Sequence, residues 1–387
     1  MTLSPVTYSD NSVYIYKDLP IIRFDSTCLN TGIFPNLLKI FNGATSGGTD
    51  FDRRKELLLQ KYQIMAPCDS KETTQQENQA STPGKNDQHP EKKPFKRQIF
   101  WTNVAFMISL HSMALYGIVL FPRLKILTML WVILCHTMGI LGITMGAHRL
   151  WSHRSYKAKW PLRLILVVFT SIAAQNDIFQ WCRDHRVHHK CSETDGDPHN
   201  AKRGLFFSHI GWLLQRKHPD VITKGKRIDL SDLYADEMIM FQRRHYKLIS
   251  LMACVVIPTV VPYLWRESLW LSYFTAFALR YVFTLNVTFC VNSFAHMFGN
   301  KPYDVNINPS ENMLVSTLTN GEGFHNYHHT FPQDYATSEF GTKGNFTTRV
   351  INFCARIGWV YDMKVTPREV IVKRMMRTGE LRHTKTD

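Results

Sequence analysis

No two of the eight cysteines are spaced C-x-x-C, and they form no regular framework. That excludes a disulfide scaffold and a thiolate metal finger, and fits reduced thiols in a cytosol-facing protein. The first 98 residues hold no apolar run of the signal-peptide type, so no cleaved leader is expected. Acidic residues are few, 31 against 46 Lys and Arg, for a net charge of +15. Such an excess suits an anionic partner: nucleic acid, a membrane surface or a phosphorylated substrate.

Formal charge is also missing from four long stretches. Residues 98–122 and 126–147 carry none; 248–265 carry none; 268–299 carry only Arg280. The first two exceed the ~20 residues that cross a hydrocarbon core of ~30 Å. Four spans are therefore expected, at about 98–122, 126–147, 248–265 and 268–292. Leu164–Ala174 is too short to span and reads as an interfacial or buried helix. Lys and Arg number 13 in residues 1–98, 18 in 148–247 and 11 after 291, against three in the connections near 123–125 and 266. Both termini and the central loop are thus expected on the cytosolic side. Arg280 either faces protein or snorkels; the sequence leaves both open. Residues 1–95 read as a largely disordered cytosolic region, with Pro67–Gln98 too polar to form a core and short helices around Leu37–Ile40 and Leu57–Leu59. A membrane domain over 96–378 and a tail over 379–387 follow. The class is an all-α integral membrane protein with a cytosolic helical cap.

What is abundant is histidine. Seventeen are present, and nine fall in four groups: His148-Arg-Leu-Trp-Ser-His153, His185-Arg-Val-His188-His189, Asn292-Ser-Phe-Ala-His296 and His325-Asn-Tyr-His328-His329. Each H-x-x-H-H puts three imidazoles on one helical face, and imidazole suits iron, zinc, copper and nickel. His148 and His153, about 140° apart on an ideal helix, need a helix end or a distortion to converge. Nine imidazoles exceed what one ion holds, so two ions are expected, with Asn292 as a ligand or as the partner of a bound water. No carboxylate recurs within the groups, unlike soluble di-iron bundles. His89, His111, His136, His199, His209, His218, His245 and His383 read as solvent, core or capping residues.

These four groups, with Trp181-Cys-Arg-Asp184 ahead of the second and Gly321-Glu-Gly-Phe324 ahead of the fourth, resemble the histidine boxes of membrane acyl-CoA desaturases. The likeness is greatest to the stearoyl-CoA type of animals, insects included. It runs from about Trp101 to Thr378. It implies four spans, a cytosolic cap with a di-iron centre, and insertion of a cis double bond (by default delta-9) into a saturated fatty acyl-CoA. O2 is the co-substrate, and two electrons come from cytochrome b5 and its NADH-dependent reductase. The resemblance also implies a multi-pass protein of the endoplasmic reticulum membrane and no role for nucleic acid. By match to the family, Gln175, Trp181 and Thr288 occupy the bend of an acyl tunnel. Asn103, Asn176, Arg183, Asp184, Arg216 and Lys217 contact CoA. His136 and Ile140 stand near the closed end of the tunnel, where the family often has Tyr and a small residue; the bulkier Ile140 is expected to favour chains of sixteen carbons or fewer. Phe289 stands where a Trp is common.

Three other readings share parts of this pattern. A fatty-acid or sterol hydroxylase begins with the same hydrogen abstraction. A metal transporter would string its histidines along a path at membrane depth. A silent paralogue would bind acyl-CoA only.

Overall fold

The computed structural model describes residues 96–380, together with three short strands near the start of the chain. Those strands, Thr7–Ser9 (β1), Ser12–Tyr14 (β2) and Arg23–Asp25 (β3), pair antiparallel in the order β1-β2-β3. The rest of the region expected to be disordered, including both expected helices, lies outside the described residues, as does the tail from 381.

Across residues 96–380 the regular structure is mostly helix, with irregular segments between the helices and one two-stranded pairing of Lys157–Ala158 with Val360–Tyr361. Four helical runs among them are long and apolar enough to cross a bilayer: Trp101–Arg123, Ile126–Ser152, Tyr246–Trp265 and Leu269–Met297. All four lie where spans are expected, but the second and fourth run about five residues further, carrying His148 and the third histidine group inside helix, with His153 capping the second run. The first span is α1, Trp101–Leu120, which exposes Phe106, Ile108, Leu115, Ile118 and Val119, the surface a lipid-facing helix needs. The chain is a multi-pass membrane protein.

The second span begins as α2, Ile126–Leu141, and then widens into π-helical turns over Gly142–Ser152. It packs against α3, Trp160–Ala173. Gly142 makes that approach possible: a Cβ there would collide with the Thr170 nitrogen and the Phe169 carbonyl carbon. The Thr170 hydroxyl donates to the Gly142 carbonyl at 2.9 Å. Small residues let helix backbones touch in this way. Gly142→Ala is expected to lower stability by about 1–3 kcal/mol or more, read as a drop in thermal midpoint of the detergent-solubilised protein.

Helix α3 buries Leu162, Leu166 and Val167 and exposes Trp160, Leu164, Ile165 and Val168. One face belongs to the core and the other to lipid, as expected for an interfacial helix. The chain then bends by 82° into α4, Ile178–Cys191. Asp177 caps α4 by accepting from the Gln180 nitrogen at 2.9 Å.

Arg280 opens α5, Arg280–Met297, the second half of the fourth span. It is buried and faces protein. Its guanidinium donates to the carbonyls of Ala276 (3.2 Å), Ile172 (2.9 Å) and Cys254 (2.8 Å). The Ala276 and Cys254 carbonyls lie in π-helical stretches, Tyr273–Leu279 and Leu251–Val256. Wide turns leave carbonyls short of helical donors, and one guanidinium ties three elements together at membrane depth.

The cap closes with α6, His325–Thr330, and α7, Phe346–Arg356. Gly323 precedes α6 because a Cβ there would collide with the Asn312 carbonyl oxygen and the Ser316 nitrogen.

Candidate metal centre

The π-helical turns resolve the geometry of the first histidine pair. Their i to i+5 hydrogen bonding continues to the end, where the His153 nitrogen donates to the His148 carbonyl at 3.1 Å. Five residues then make about one turn, and the rings of His148 and His153 come to 4.9 Å between centroids. The distortion that the spacing required is built into the second span.

α4 presents His185, His188 and His189; α5 presents His296; α6 presents His325, His328 and His329. All nine imidazoles meet and sort into two clusters. His148, His153, His185, His189 and His328 form one, and His188, His296, His325 and His329 the other, with the ligand atoms of each within 4.8 Å of one another. The second and fourth groups are each split between the clusters. Adjacent residues on a helix point to different sides, so His188 and His189 serve different centres, as do His328 and His329.

The donor set fits metal ions. Nε2 atoms approach in pairs: His148–His328 at 2.9 Å, His153–His185 at 2.8 Å, His189–His328 at 3.0 Å and His296–His325 at 2.9 Å. An octahedral ion with metal–nitrogen distances of about 2.0–2.1 Å has edges of about 2.9 Å. The His329 Nε2 is buried with no hydrogen-bond partner, as a ligand atom aimed at an ion is. Burial, reinforced by repulsion among the rings, pushes His153, His185, His189, His325, His328 and His329 well below the usual imidazole range. Neutral imidazole is the ligating form.

Carboxylates are present after all, one step out. His148 Nδ1 lies 2.7 Å from Glu322, His188 Nδ1 2.8 Å from Asp197 and His296 Nδ1 2.8 Å from Glu193. Each such bond fixes the tautomer and leaves Nε2 for the ion. Glu193 and Asp197 are themselves joined, the Glu193 nitrogen donating to Asp197 at 2.9 Å. Glu322 also takes Arg149 at 2.7 Å, and fully buried Arg149 reaches the Tyr335 carbonyl and the Thr348 hydroxyl. The sequence reading gave these four residues no role. The available signal was acidic residues four and eight positions after His189, and one three before His325.

Burial drives the Glu322 carboxyl up, but Arg149 and His148 outweigh it and hold it at about 2, against an ordinary 4.5. A depressed carboxylate stabilises the fold fully above its unfolded value. That contribution is lost as pH falls from about 4.5 towards 2. Metal release in a pH titration should follow that window, and a Glu322→Gln variant should release metal with a different pH dependence.

An inner chamber touches the clusters. Ile140, Ile143, Thr144, Trp181, Thr288, Val291 and Asn292 line it together with His148, His185, His188 and His325. A second cavity continues from Trp181, Thr288 and Asn292 to Gln175, Asn176, Asp184 and His199. The residues matched to the tunnel bend come together there: the Gln175 amide donates to the Thr288 hydroxyl at 2.9 Å, and Trp181 stacks on His185 at 4.9 Å. Asn292 lines both cavities, one helical turn before His296 and beside His188 and His325 of the four-histidine cluster.

At the outer end, Asp184 receives Lys217 and also Arg183 at 3.1 Å. Asn103 reaches this region indirectly, its amide donating to the Leu213 carbonyl at 2.8 Å, and Leu213 lines the cavity. The Arg216 nitrogen pairs with the Gln98 carbonyl at 3.0 Å, anchoring the loop to the start of the first span. Phe289 lines the same cavity and packs edge-on to Trp212. His136 and Ile140 are separated. Ile140 lines the inner chamber, whereas His136, bonded to Thr284 at 2.9 Å, lines an apolar groove with Ile133, Leu279 and Phe283. Of the scattered histidines, His218 caps a helix, accepting from the Asp220 nitrogen.

Comparison with known proteins agrees with this architecture. Residues 125–339 match the family described as fatty acid desaturase. The chain belongs to that family. It is 52% identical to the human protein named stearoyl-CoA desaturase 5, over 81% of this chain and 95% of the relative. It is 54% identical to the acyl-CoA Delta-9 desaturase of Acheta domesticus, over 76% and 82%, and 58% identical to the acyl-CoA desaturase of Cyprinus carpio, over 74% and 88%. As a desaturase it carries two histidine clusters able to hold metal, against an apolar chamber.

Proposed function

We propose that this desaturase acts on saturated fatty acyl-CoA and inserts a cis double bond, delta-9 by default. Two iron ions and O2 take part, and two electrons arrive from cytochrome b5 and its NADH-dependent reductase. We place it in the endoplasmic reticulum membrane with both termini cytosolic. The observation that carries this reading is the meeting of nine imidazoles in two clusters at the wall of one apolar chamber. Bound irons with O2 supply an oxidant strong enough to take hydrogen from an unactivated methylene.

The chain's own residues do the rest. Ile140, Ile143 and Val291 give the chamber a dry, apolar wall beside the ligands, where an alkyl segment replaces water. The Gln175–Thr288 bond and the Trp181–His185 stack shape the passage between cavities, so a bent chain presents fixed carbons to the clusters. Asn292 supports the four-histidine cluster as a direct ligand or through a bound water. Asn103, Asn176, Arg183, Asp184, Arg216 and Lys217 form the CoA mouth, where cations meet phosphate.

Ile140 acts as the floor. Its truncation should join the inner chamber to the groove beside His136. Ile140→Ala is expected to shift preference from myristoyl- and palmitoyl-CoA towards stearoyl-CoA. Wild-type preference for stearoyl-CoA over both shorter chains contradicts the role.

Clustering of the histidines at one place disfavours transport along a path. Hydroxylation shares the first step with desaturation, and the product distinguishes them. Expression in desaturase-deficient yeast, followed by mass spectrometry of lipid double bonds, is the test. New monounsaturated acyl chains support the proposal; hydroxylated chains or an unchanged profile overturn it.

A further inference from the structure

His199 lies outside both metal clusters, yet its Nδ1 is buried with no hydrogen-bond partner. Among the described residues, the other histidine nitrogens in that condition belong to His325, His328 and His329, all members of the clusters. A buried polar atom without a partner calls for a reason. The ring is also partly accessible, and what it lines is the second cavity. Its place is fixed through the backbone: the His199 nitrogen donates at 2.9 Å to the Asp197 oxygen that also meets His188.

The neighbours leave His199 as the free donor on that wall. Its ring stands edge-on to Trp212 at 4.3 Å, and Trp212 stands edge-on to Phe289 at 5.6 Å. All three line the cavity. Phe289 has no polar side-chain atom, and the Trp212 indole N–H is spent on the His209 carbonyl at 3.3 Å. A neutral imidazole keeps one donor and one acceptor.

His199 also stands between the CoA mouth and the metal clusters. Its ring is 5.7 Å from that of His188, while Asp184 and Lys217 of the mouth are near enough to act on its charge. An acyl-CoA threaded from mouth to chamber brings past this point the arm that joins phosphates to alkyl chain. That arm carries carbonyl oxygens, and the thioester's lies deepest, the last polar group before the chain becomes purely alkyl. We propose that His199 donates its ring N–H to the thioester carbonyl of bound acyl-CoA, and so fixes the origin from which carbons are counted to the metal centres. This rests on the desaturase reading above. Every methylene is alike to an apolar tunnel, so an alkyl chain alone can slide. A carbonyl held at one point stops the slide, and the same carbons meet the clusters in each turnover.

The test uses the full-length protein in nanodiscs with two probes: palmitoyl-CoA, and S-hexadecyl-CoA, in which a methylene replaces the thioester carbonyl. His199→Phe keeps a ring and the backbone N–H that Asp197 takes, but removes both ring nitrogens. Its Kd for palmitoyl-CoA should rise roughly tenfold. Its Kd for S-hexadecyl-CoA should stay near the wild-type value, since the pair of comparisons isolates the carbonyl contact. Iron content should be unchanged. In the iron-loaded protein supplied with electrons, His199→Phe should spread double bonds over neighbouring positions where wild type makes one, read by mass spectrometry. His199→Gln, which restores a donor, should recover part of the affinity and of the positional selectivity. Equal losses for both probes, no loss for either, or an unchanged single double-bond position overturns the anchor. Loss of iron in both variants overturns it too, because the role is then structural. Wild-type protein that prefers the thioester probe yet forms no unsaturated product leaves the anchor standing and overturns the desaturase reading.

Discussion

His328→Ala will reduce desaturation to background and lower bound metal. Its Nε2 lies 2.9 Å from that of His148 and 3.0 Å from that of His189. Removing the ring opens the five-histidine cluster at its centre. The lost ligand is not replaced from nearby, because the remaining imidazoles of α6, His325 and His329, belong to the other cluster. His188→Ala should do the same to the four-histidine cluster and also take from buried Asp197 its imidazole partner, leaving it the backbone nitrogens of Glu193 and His199. Burial drives Asp197 up, yet His188, helped by His199, outweighs burial and holds it at about 2, so losing the imidazole leaves a buried carboxylate short of its main counter-charge. Activity and metal content of each variant, measured on the same purified sample, decide the matter. Full turnover by either contradicts the assignment.

The second large effect is expected one bond further out. Glu322→Gln keeps shape but weakens the acceptor for His148 Nδ1 and removes the counter-charge of Arg149, which is fully buried. Partners that orient metal-bound histidines typically matter by about 10–100-fold in affinity or activity. Metal affinity should fall by that order, and turnover with it. Arg149 complicates a simple reading, since its guanidinium also ties residues 335 and 348 to the second span. Glu193→Gln, acting on His296 without a buried arginine, separates the two causes. If Glu193→Gln binds metal as wild type does while Glu322→Gln does not, the Glu322 effect belongs to the arginine network and not to histidine orientation.

Charge-free runs made the four spans legible, because lipid leaves few alternatives for a long uncharged helix. The histidine groups were legible because i, i+3 and i+4 spacing gathers three imidazoles within about one helical turn, although the structure divides each trio between the two clusters. What the sequence concealed depends on contacts across long separations. The π-helical widening over 142–152 has no residue signature of its own; it emerges where Gly142 presses on α3. Sorting into five and four required the relative placement of α4, α5 and α6. Arg280 could be placed only once the carbonyls of Ile172 and Cys254 were seen beside it. Nothing local in the sequence marks Glu193 or Asp197, because a carboxylate that turns back onto an imidazole is set by the fold.

The central claim is that nine imidazoles form two metal-binding centres in one chain. Metal analysis of the purified, active protein, expressed per mole of chain, tests it most directly. The account predicts about two iron atoms per chain, dropping together with activity on chelation and returning with it on reconstitution. An active preparation with one transition metal per chain, or with none, contradicts it.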